Sequence, residues 1–318
     1  MHDITNIWIW AGFTVFLIAA LGIDTFALKK HHRHAESIRS ALFWTCVWIG
    51  SALLFNFLLW FYLYLTTDSA TAYKKALDFF TGYLIEKSLS VDNLFAFYMV
   101  FEQFRIPVKY QQRIFSYGIW GAIMMRLIII LIGTWLISHF HWLLYVMGIF
   151  LLLTGIKMFF AQEHKKDLAE TAVIRLTKRL FRLTHEIDDN RFFIRKSGLL
   201  YATPLFLALV FIEFSDLIFA MDSIPAIFAI TRDPFIVWTS NIFAILGLRA
   251  LYFVLARMIN RFQLLKYGIA LILIFIGIKM VIEPWIIISV SASLSVVVSI
   301  ILVFVLISIR QSARLEKL

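Results

Sequence analysis

The sequence predicts an all-α polytopic membrane protein with about nine transmembrane helices, six of them forming an inverted-topology repeat of three-helix units. Three observations predict it. The 318-residue chain is 61% hydrophobic and only 16% charged, with mean hydropathy +0.85. Soluble domains carry about a quarter charged residues, so this chain uses lipid as its solvent. Its basic residues are confined to alternate segments between apolar runs. One acidic pattern occurs twice, in two different runs.

A bilayer span takes roughly 20 apolar residues. Runs of that kind fall at about 7–28, 41–65, 76–103, 113–138, 141–160, 200–231, 235–257, 266–282 and 286–308. Met1–Thr5 has no basic n-region, and the first run continues to Leu28 with no small-residue cleavage site. This predicts a retained helix. Glu283-Pro284 separates the last two runs, because proline cannot continue a helix. The expected division is one transmembrane domain, 1–318, in five parts. Residues 1–75 hold two helices, 76–160 the first repeat, 161–198 a cytoplasmic amphipathic loop, 199–282 the second repeat, and 283–318 a last helix and tail. In the loop, Leu176, Leu180, Leu183 and Ile187 share one helical face and Arg175, Lys178, Arg179 and Arg182 surround it. Such a helix rests on an anionic leaflet or serves as a solvated linker.

Segments 29–40, 104–113, 161–198, 257–266 and 310–318 hold 22 Lys and Arg, whereas the alternate segments hold only Lys74, Lys75 and Arg232. The positive-inside rule then places the N-terminus outside and the C-terminus in the cytoplasm. The net charge of +10 sits in these loops, so topology and anionic lipid explain it without a nucleic-acid partner. The single cysteine, Cys46, excludes a disulfide framework and a thiolate metal cage.

The third span contains Glu86-Lys-Ser-Leu-Ser-Val-Asp92-Asn93 and the sixth contains Asp216-Leu-Ile-Phe-Ala-Met-Asp222-Ser223. Arg126 and Arg249 sit mid-span in the fourth and seventh. Gly155-Ile-Lys157-Met158 and Gly277-Ile-Lys279-Met280 close the fifth and eighth. Spans 3–5 therefore resemble spans 6–8. An odd-numbered unit, repeated, crosses in opposite senses, which is the architecture of many secondary transporters.

Glu86, Asp92, Glu213, Asp216 and Asp222 lie deep in their spans. Each such group costs about 2.5–3.5 kcal/mol to insert, so they face the protein interior or water. Acids six residues apart diverge by roughly 120° on an ideal helix. Convergence therefore predicts breaks near Ser88, Ser90 and Asn93 in the third span and at Met221–Pro225 in the sixth. The expected ion site is Asp92 and Asp222 at the centre, with Asn93, Ser223, Glu86, Asp216 and Glu213 around them. Oxygen donors without intramembrane His or Cys suit hard cations such as Mn²⁺, Mg²⁺ or Ca²⁺. Arg126, Arg249 and Lys87 supply charge compensation, either as competitors that help release the ion or as fixed counter-ions in an inert network. Asp24 and Asn56 are possible path residues, and Asn56 also suits helix–helix hydrogen bonding. His31, His32 and His34 fit a basic juxtamembrane loop or a metal lure. Lys157 and Lys279 are expected to snorkel to the interface.

The segments Glu86 to Phe95, Ala202-Thr-Pro-Leu-Phe206, Glu213-Phe-Ser-Asp216 and Phe219-Ala-Met-Asp222-Ser-Ile-Pro225-Ala226 are similar to those of the TerC family. Within that family they resemble the Alx-type manganese exporters. Asp24 and Gly277-Ile-Lys279 also fit, and the resemblance covers nearly the whole chain. It implies a multi-pass protein of the bacterial inner membrane that protects the cell from excess manganese, with a link to tellurite stress. It implies no enzyme activity and no resident cofactor. The partners expected are a divalent cation as cargo, protons as coupling ion and the lipid bilayer. Transport of another cation such as Ca²⁺, or metal handling by a non-transporting scaffold, stays open. So does an oxyanion cargo, although acids outnumber bases at mid-depth. Paired aspartates also occur in intramembrane proteases, but no Gly-x-Gly-Asp signature is present.

Overall fold

The computed structural model describes residues 7–31, 38–140, 142–160, 177, 179–184, 191–196, 198–258 and 264–315. Helices follow one another as α1 (Ile7–His31), α2 (Ile38–Thr66), α3 (Ser69–Gln103), α4 (Val108–His139) and α5 (Leu143–Phe160). After a short hairpin come α6 (Pro204–Phe228), α7 (Pro234–Leu246), α8 (Leu248–Met258), α9 (Leu265–Ile282) and α10 (Val290–Leu315). Five helices, α2, α4, α5, α6 and α10, are long and apolar enough to cross a membrane, or six if the bent pair α7–α8 is one span. α3 is set apart by charge, because Glu86, Lys87 and Asp92 fall within about two turns. Large apolar side chains such as Leu54, Phe57, Ile128, Trp135 and Leu153 are exposed on the bundle surface. Water would penalise such a surface, whereas lipid tails cover it.

The centre of the bundle is α7. Residues Phe235 to Leu246 are all buried. A helix apolar on every side belongs inside a protein or a bilayer. α7 packs against α1, α2, α3 and α4. An aromatic cluster locks it there: Phe55 lies 4.9 Å from Phe243 and 5.2 Å from Phe79, and Trp10 lies 5.3 Å from Phe235, between ring centroids. Edge and tilted pairs of this kind add about 0.5–1.5 kcal/mol each beyond burial.

Three sequence expectations are corrected. First, α3 and α6 are continuous, with no break at Met221–Pro225. Pro225 lies three residues before the end of α6, so its missing donor falls in the last turn, where a helix is easily ended. The break sits instead at Gly247, where α7 and α8 meet at 42°. A Cβ at Gly247 would lie 2.7 Å from Lys87 Nζ and 3.2 Å from Trp48 Cβ, so a larger residue there would have to displace the Lys87 ammonium.

Second, within an otherwise all-α fold the sixth helix is preceded by a short hairpin. Phe193–Lys196 and Leu199–Ala202 pair antiparallel, and Gly198, at φ 78°, closes the turn. The sixth helix therefore begins at Pro204, not near 200. Thr203 ends the strand by donating its hydroxyl to Arg191 O at 2.8 Å, and Pro204 at the helix start needs no N–H partner. Most of the expected amphipathic loop lies outside the described residues, and Leu180, assigned to its apolar face, is exposed.

Third, α3 starts at Ser69, seven residues before the expected 76. Asp68 caps it by accepting from Thr71 N at 2.8 Å, and this donor holds the Asp68 carboxyl below the usual carboxylate range. Lys279 also departs from expectation: it is buried, whereas its repeat counterpart Lys157 is exposed.

α5 and α9 lie antiparallel at backbone distance. A Cβ on Gly155 would meet Ala270 O at 2.8 Å, and one on Gly277 would meet Gly148 O and Leu152 N, each at 2.7 Å. Small residues allow this approach, which drives helix association in lipid. Gly277→Ala therefore forces backbone apart and is expected to destabilise the protein by about 1–3 kcal/mol. Gly50→Ala, with nothing within 4 Å of the new Cβ, is the neutral control. Unfolding in mixed detergent micelles checks the pair, and equal midpoints would contradict the contact.

Candidate functional site

α3, α4, α6 and α7 bring the site together. Arg126 of α4 is fully buried. Its Nη1 donates to Glu86 Oε1 of α3 and, at 2.9 Å, to Asn241 Oδ1 of α7. Its Nε and Nη2 donate to Asp216 Oδ2 and Oδ1 of α6, at 3.1 and 2.8 Å. The bidentate fork suits Arg and a carboxylate, and removing either partner would strand a buried charge. Asn93 donates its amide to Asp216 Oδ1 at 3.4 Å, which turns its carbonyl oxygen the other way.

On the far side of this network lies a cavity of about 50 Å³, lined by Glu86, Asn93, Asp222, Ser223, Met158 and Phe219 among others. Glu86 Oε2, Asn93 Oδ1, Asp222 Oδ1 and Ser223 Oγ are all buried there with no hydrogen-bond partner among the described residues. Buried oxygens are nearly always satisfied, and each one left without a partner costs about 1–3 kcal/mol. Four around one cavity mark a place built for a guest. One water needs about 10–15 Å³ of such space, so the cavity has room for a few waters or for an ion that has shed most of its hydration shell.

Charge agrees with this. Glu86 and Asp216 share one Arg126, and Asp222 forms no ion pair among the described residues. Three carboxylates against one guanidinium leave two negative charges. Two carboxylates, an amide carbonyl and a hydroxyl form a hard oxygen set, suited to Mn²⁺, Mg²⁺ or Ca²⁺. No group of three or more His, Cys, Asp and Glu gathers as a metal centre among the described residues.

The other sequence-predicted residues divide. Glu213 stands apart, in a second cavity of about 20 Å³ lined by Phe97, Phe115, Gly118, Glu213 and Asp216 among others. Its carboxylate lies over Gly121, where a Cβ would come within 2.2 Å of Oε1. Lys87 does not compensate the site acids directly. Its ammonium donates to Ala244 O at 3.2 Å, at the C-terminal end of α7, where helix carbonyls and the helix dipole favour a cation. Arg249 is buried on α8, two residues past the break. The side chains of Asp24, Asp92 and His31, and residues 32–37 with His32 and His34, lie outside what the structure describes, although Asp24 and Asp92 belong to α1 and α3. The oxygen of Asn56 is buried on α2 without a hydrogen bond among the described residues.

Sequence reasoning missed Asn241 and Asp78. Thr239-Ser240-Asn241, a polar triplet inside an apolar run, was the available signal for the first. Asp78 is 2% exposed, and it falls two residues inside the expected start of its span at 76.

The TerC model, described as "Integral membrane protein TerC family", matches residues 71–316. The Escherichia coli K12 protein named "Putative membrane-bound redox modulator Alx" is 48% identical over 317 residues, covering 100% of this chain and 99% of that protein. A Salmonella typhi protein of the same name is 49% identical over 308 residues, covering 97% and 96%. The "Uncharacterized membrane protein STKORF319" of Myxococcus xanthus is 44% identical over 291 residues, covering 91% and 88%. No solved structure matches. On a match that spans both acidic helices and relatives aligned end to end, the chain belongs to the TerC family of integral membrane proteins.

Proposed function

We propose that this protein transports a hard divalent cation, and that it exports Mn²⁺ from the cytoplasm in exchange for protons. The observation that carries the reading is the cavity where four buried oxygens from α3 and α6 lack partners beside an excess of negative charge. It acts as a transporter and not an enzyme; the metal is cargo, and there is no resident cofactor. Ca²⁺ transport is the nearest alternative, since the same donors suit it. The redox wording of the relatives' name meets one cysteine here, which leaves dithiol exchange without a second thiol in the chain.

In this reading nine spans cross the inner membrane, with α7 and α8 as one broken span, the N-terminus periplasmic and the C-terminus cytoplasmic. The glycine contacts support the inverted repeat. Gly155 and Gly277 are counterparts, and so are Gly148 and Ala270. Gly155 meets Ala270 while Gly148 meets Gly277. Such reciprocal contacts arise when two like units are related by a two-fold axis, and antiparallel packing requires that axis to lie across the helices.

Expelling a divalent cation against an interior-negative potential costs about 4.6 kcal/mol per 100 mV. Exchange for protons supplies that work. Carboxylates emptied of metal can carry protons, which removes the cost of bare buried charge. Mn²⁺ uptake into everted vesicles or proteoliposomes is expected to follow an imposed pH gradient and to stop when an ionophore collapses it. Flux that survives the collapse removes proton coupling, and flux equal to empty liposomes removes transport.

A further inference from the structure

α3 carries a buried polar stripe that continues beyond the cavity. Asp78, Glu86, Ser90 and Asn93 are each at most 2% exposed. With Gly82 they fall in an arc of about 120°, and buried Thr81 flanks it. From Asp78 to Glu86 the stripe runs about 12 Å along the helix. Across from it Ser240 of α7 lies against Gly82, with Thr239 and Asn241 on either side of Ser240 and all three fully buried. Gly82 keeps the two helices close: a Cβ there would lie 3.0 Å from Ser240 Oγ. At the lower end Asn241 accepts from Arg126, which also donates to Glu86 beside the cavity. At the upper end Asp78 Oδ1 has no hydrogen-bond partner among the described residues.

Polar glue between helices is the ordinary reason for such residues, and it predicts hydrogen bonds across the seam. The hydroxyls do not make them. Thr81 donates to Leu77 O at 2.7 Å, Thr239 to Phe235 O at 2.8 Å and Ser240 to Val237 O at 3.2 Å, each within its own helix. A hydroxyl has one proton to give. With it committed, these hydroxyls offer the seam only lone pairs, which attract a cation, while Asn241 Nδ2 at the cavity end is a buried donor with no hydrogen-bond partner among the described residues.

We propose that this α3–α7 seam is the route between the central cavity and the end of the bundle carrying the α3 N-terminus, and that Asp78 is a second station on it for a hard divalent cation. The proposal rests on the transporter reading. In its topology this end is extracytoplasmic, so the seam is the exit half of the path. Lys75 of α3 and Asp233, the cap of α7, form an ion pair at its mouth. Thr231 and Lys279, both buried, lie within electrostatic or hydrogen-bonding reach of Asp78, as do Lys74, Lys75 and Asp233. Asp78 shares this end with that pair, and an arriving cation at Asp78 competes with Lys75 and Lys279.

Asp78→Asn and Asp222→Asn, purified as full chains, test the station. Mn²⁺ titrated onto solubilised Asp78→Asn is expected to bind within about threefold of wild type, while efflux from proteoliposomes falls at least tenfold. Asp222→Asn loses both. Wild-type efflux by Asp78→Asn, or loss of binding equal to that of Asp222→Asn, overturns the station. A second measurement tests the route without relying on flux. In a Cys46→Ser background, Ser240→Cys is expected to react with a membrane-impermeant methanethiosulfonate added from the extracytoplasmic side. Adding Lys75→Gln accelerates the reaction severalfold. No reaction with Lys75→Gln present, with or without Mn²⁺, overturns the route. Absence of Mn²⁺ flux in the wild type with labelling intact removes the transporter reading and leaves a water-filled seam.

Discussion

Asp222→Asn is expected to weaken Mn²⁺ binding and slow efflux by about a hundredfold or more, which at 1.4 kcal/mol per tenfold is roughly 2.8 kcal/mol. The size follows from what the substitution removes. Asp222 faces the cavity with a buried oxygen that makes no hydrogen bond, and no described basic residue pairs with it. Asparagine keeps the shape and one acceptor but deletes a full negative charge. In a site shielded from water that charge is the largest attraction a divalent ion meets. Ser223→Ala removes a neutral ligand from the same cavity and is expected to cost about tenfold, which grades the effect by charge. Calorimetric titration of Mn²⁺ and uptake into everted vesicles read the two quantities. Wild-type binding in Asp222→Asn would remove Asp222 from the site.

Arg126→Met has the opposite signature, a collapse of stability. Arg126 is fully buried and its guanidinium holds both Glu86 and Asp216. Deleting it leaves two buried carboxylates without their basic partner. Breaking a buried pair in this way costs about 3–5 kcal/mol, because the remaining charge is uncompensated. The triple variant Arg126→Met, Glu86→Gln, Asp216→Asn removes all three charges and is expected to recover most of that loss. It is not expected to recover transport, since Glu86 lines the cavity. The folded fraction in mixed micelles at increasing denaturing detergent reports stability, and vesicle uptake reports function. Should Arg126→Met fold as well as wild type, the network does not hold α3, α4 and α6 together.

Part of this site is legible in the sequence. Glu86, Asn93, Asp222 and Ser223 stand out because a charge at mid-span is costly, and because the pattern recurs at a matching position in a second helix. The ligand class follows from the residue types alone. Other parts were not legible for physical reasons. A proline reads as a break, but Pro225 lies in the closing turn of α6, where losing one hydrogen bond changes little. The real break, at Gly247, lies where Lys87 and Trp48 of two other helices come close, a neighbourhood that sequence does not show. Lys87 looked like a counter-ion because it adjoins Glu86, yet neighbours in a helix point about 100° apart. Glu213 looked like a ligand because it is three residues from Asp216, but it lodges against Gly121 in a different cavity. Asp78 was hidden by a boundary: Asp68 starts the helix earlier than hydropathy suggests, which carries Asp78 well inside it.

By itself the sequence determined that the chain lives in lipid, that it is built of helices, that two stretches share one acidic plan, and that hard oxygen donors lie at depth. These properties are local, since each residue's transfer cost and each helix's periodicity are set by its own neighbours in the chain. Only the tertiary structure decided which oxygens share a cavity, which acids Arg126 neutralises, and where the bent helix breaks. Those outcomes depend on distances between side chains more than a hundred positions apart, such as Arg126 and Asn241, and pattern along a chain carries no information about rotation of one helix against another.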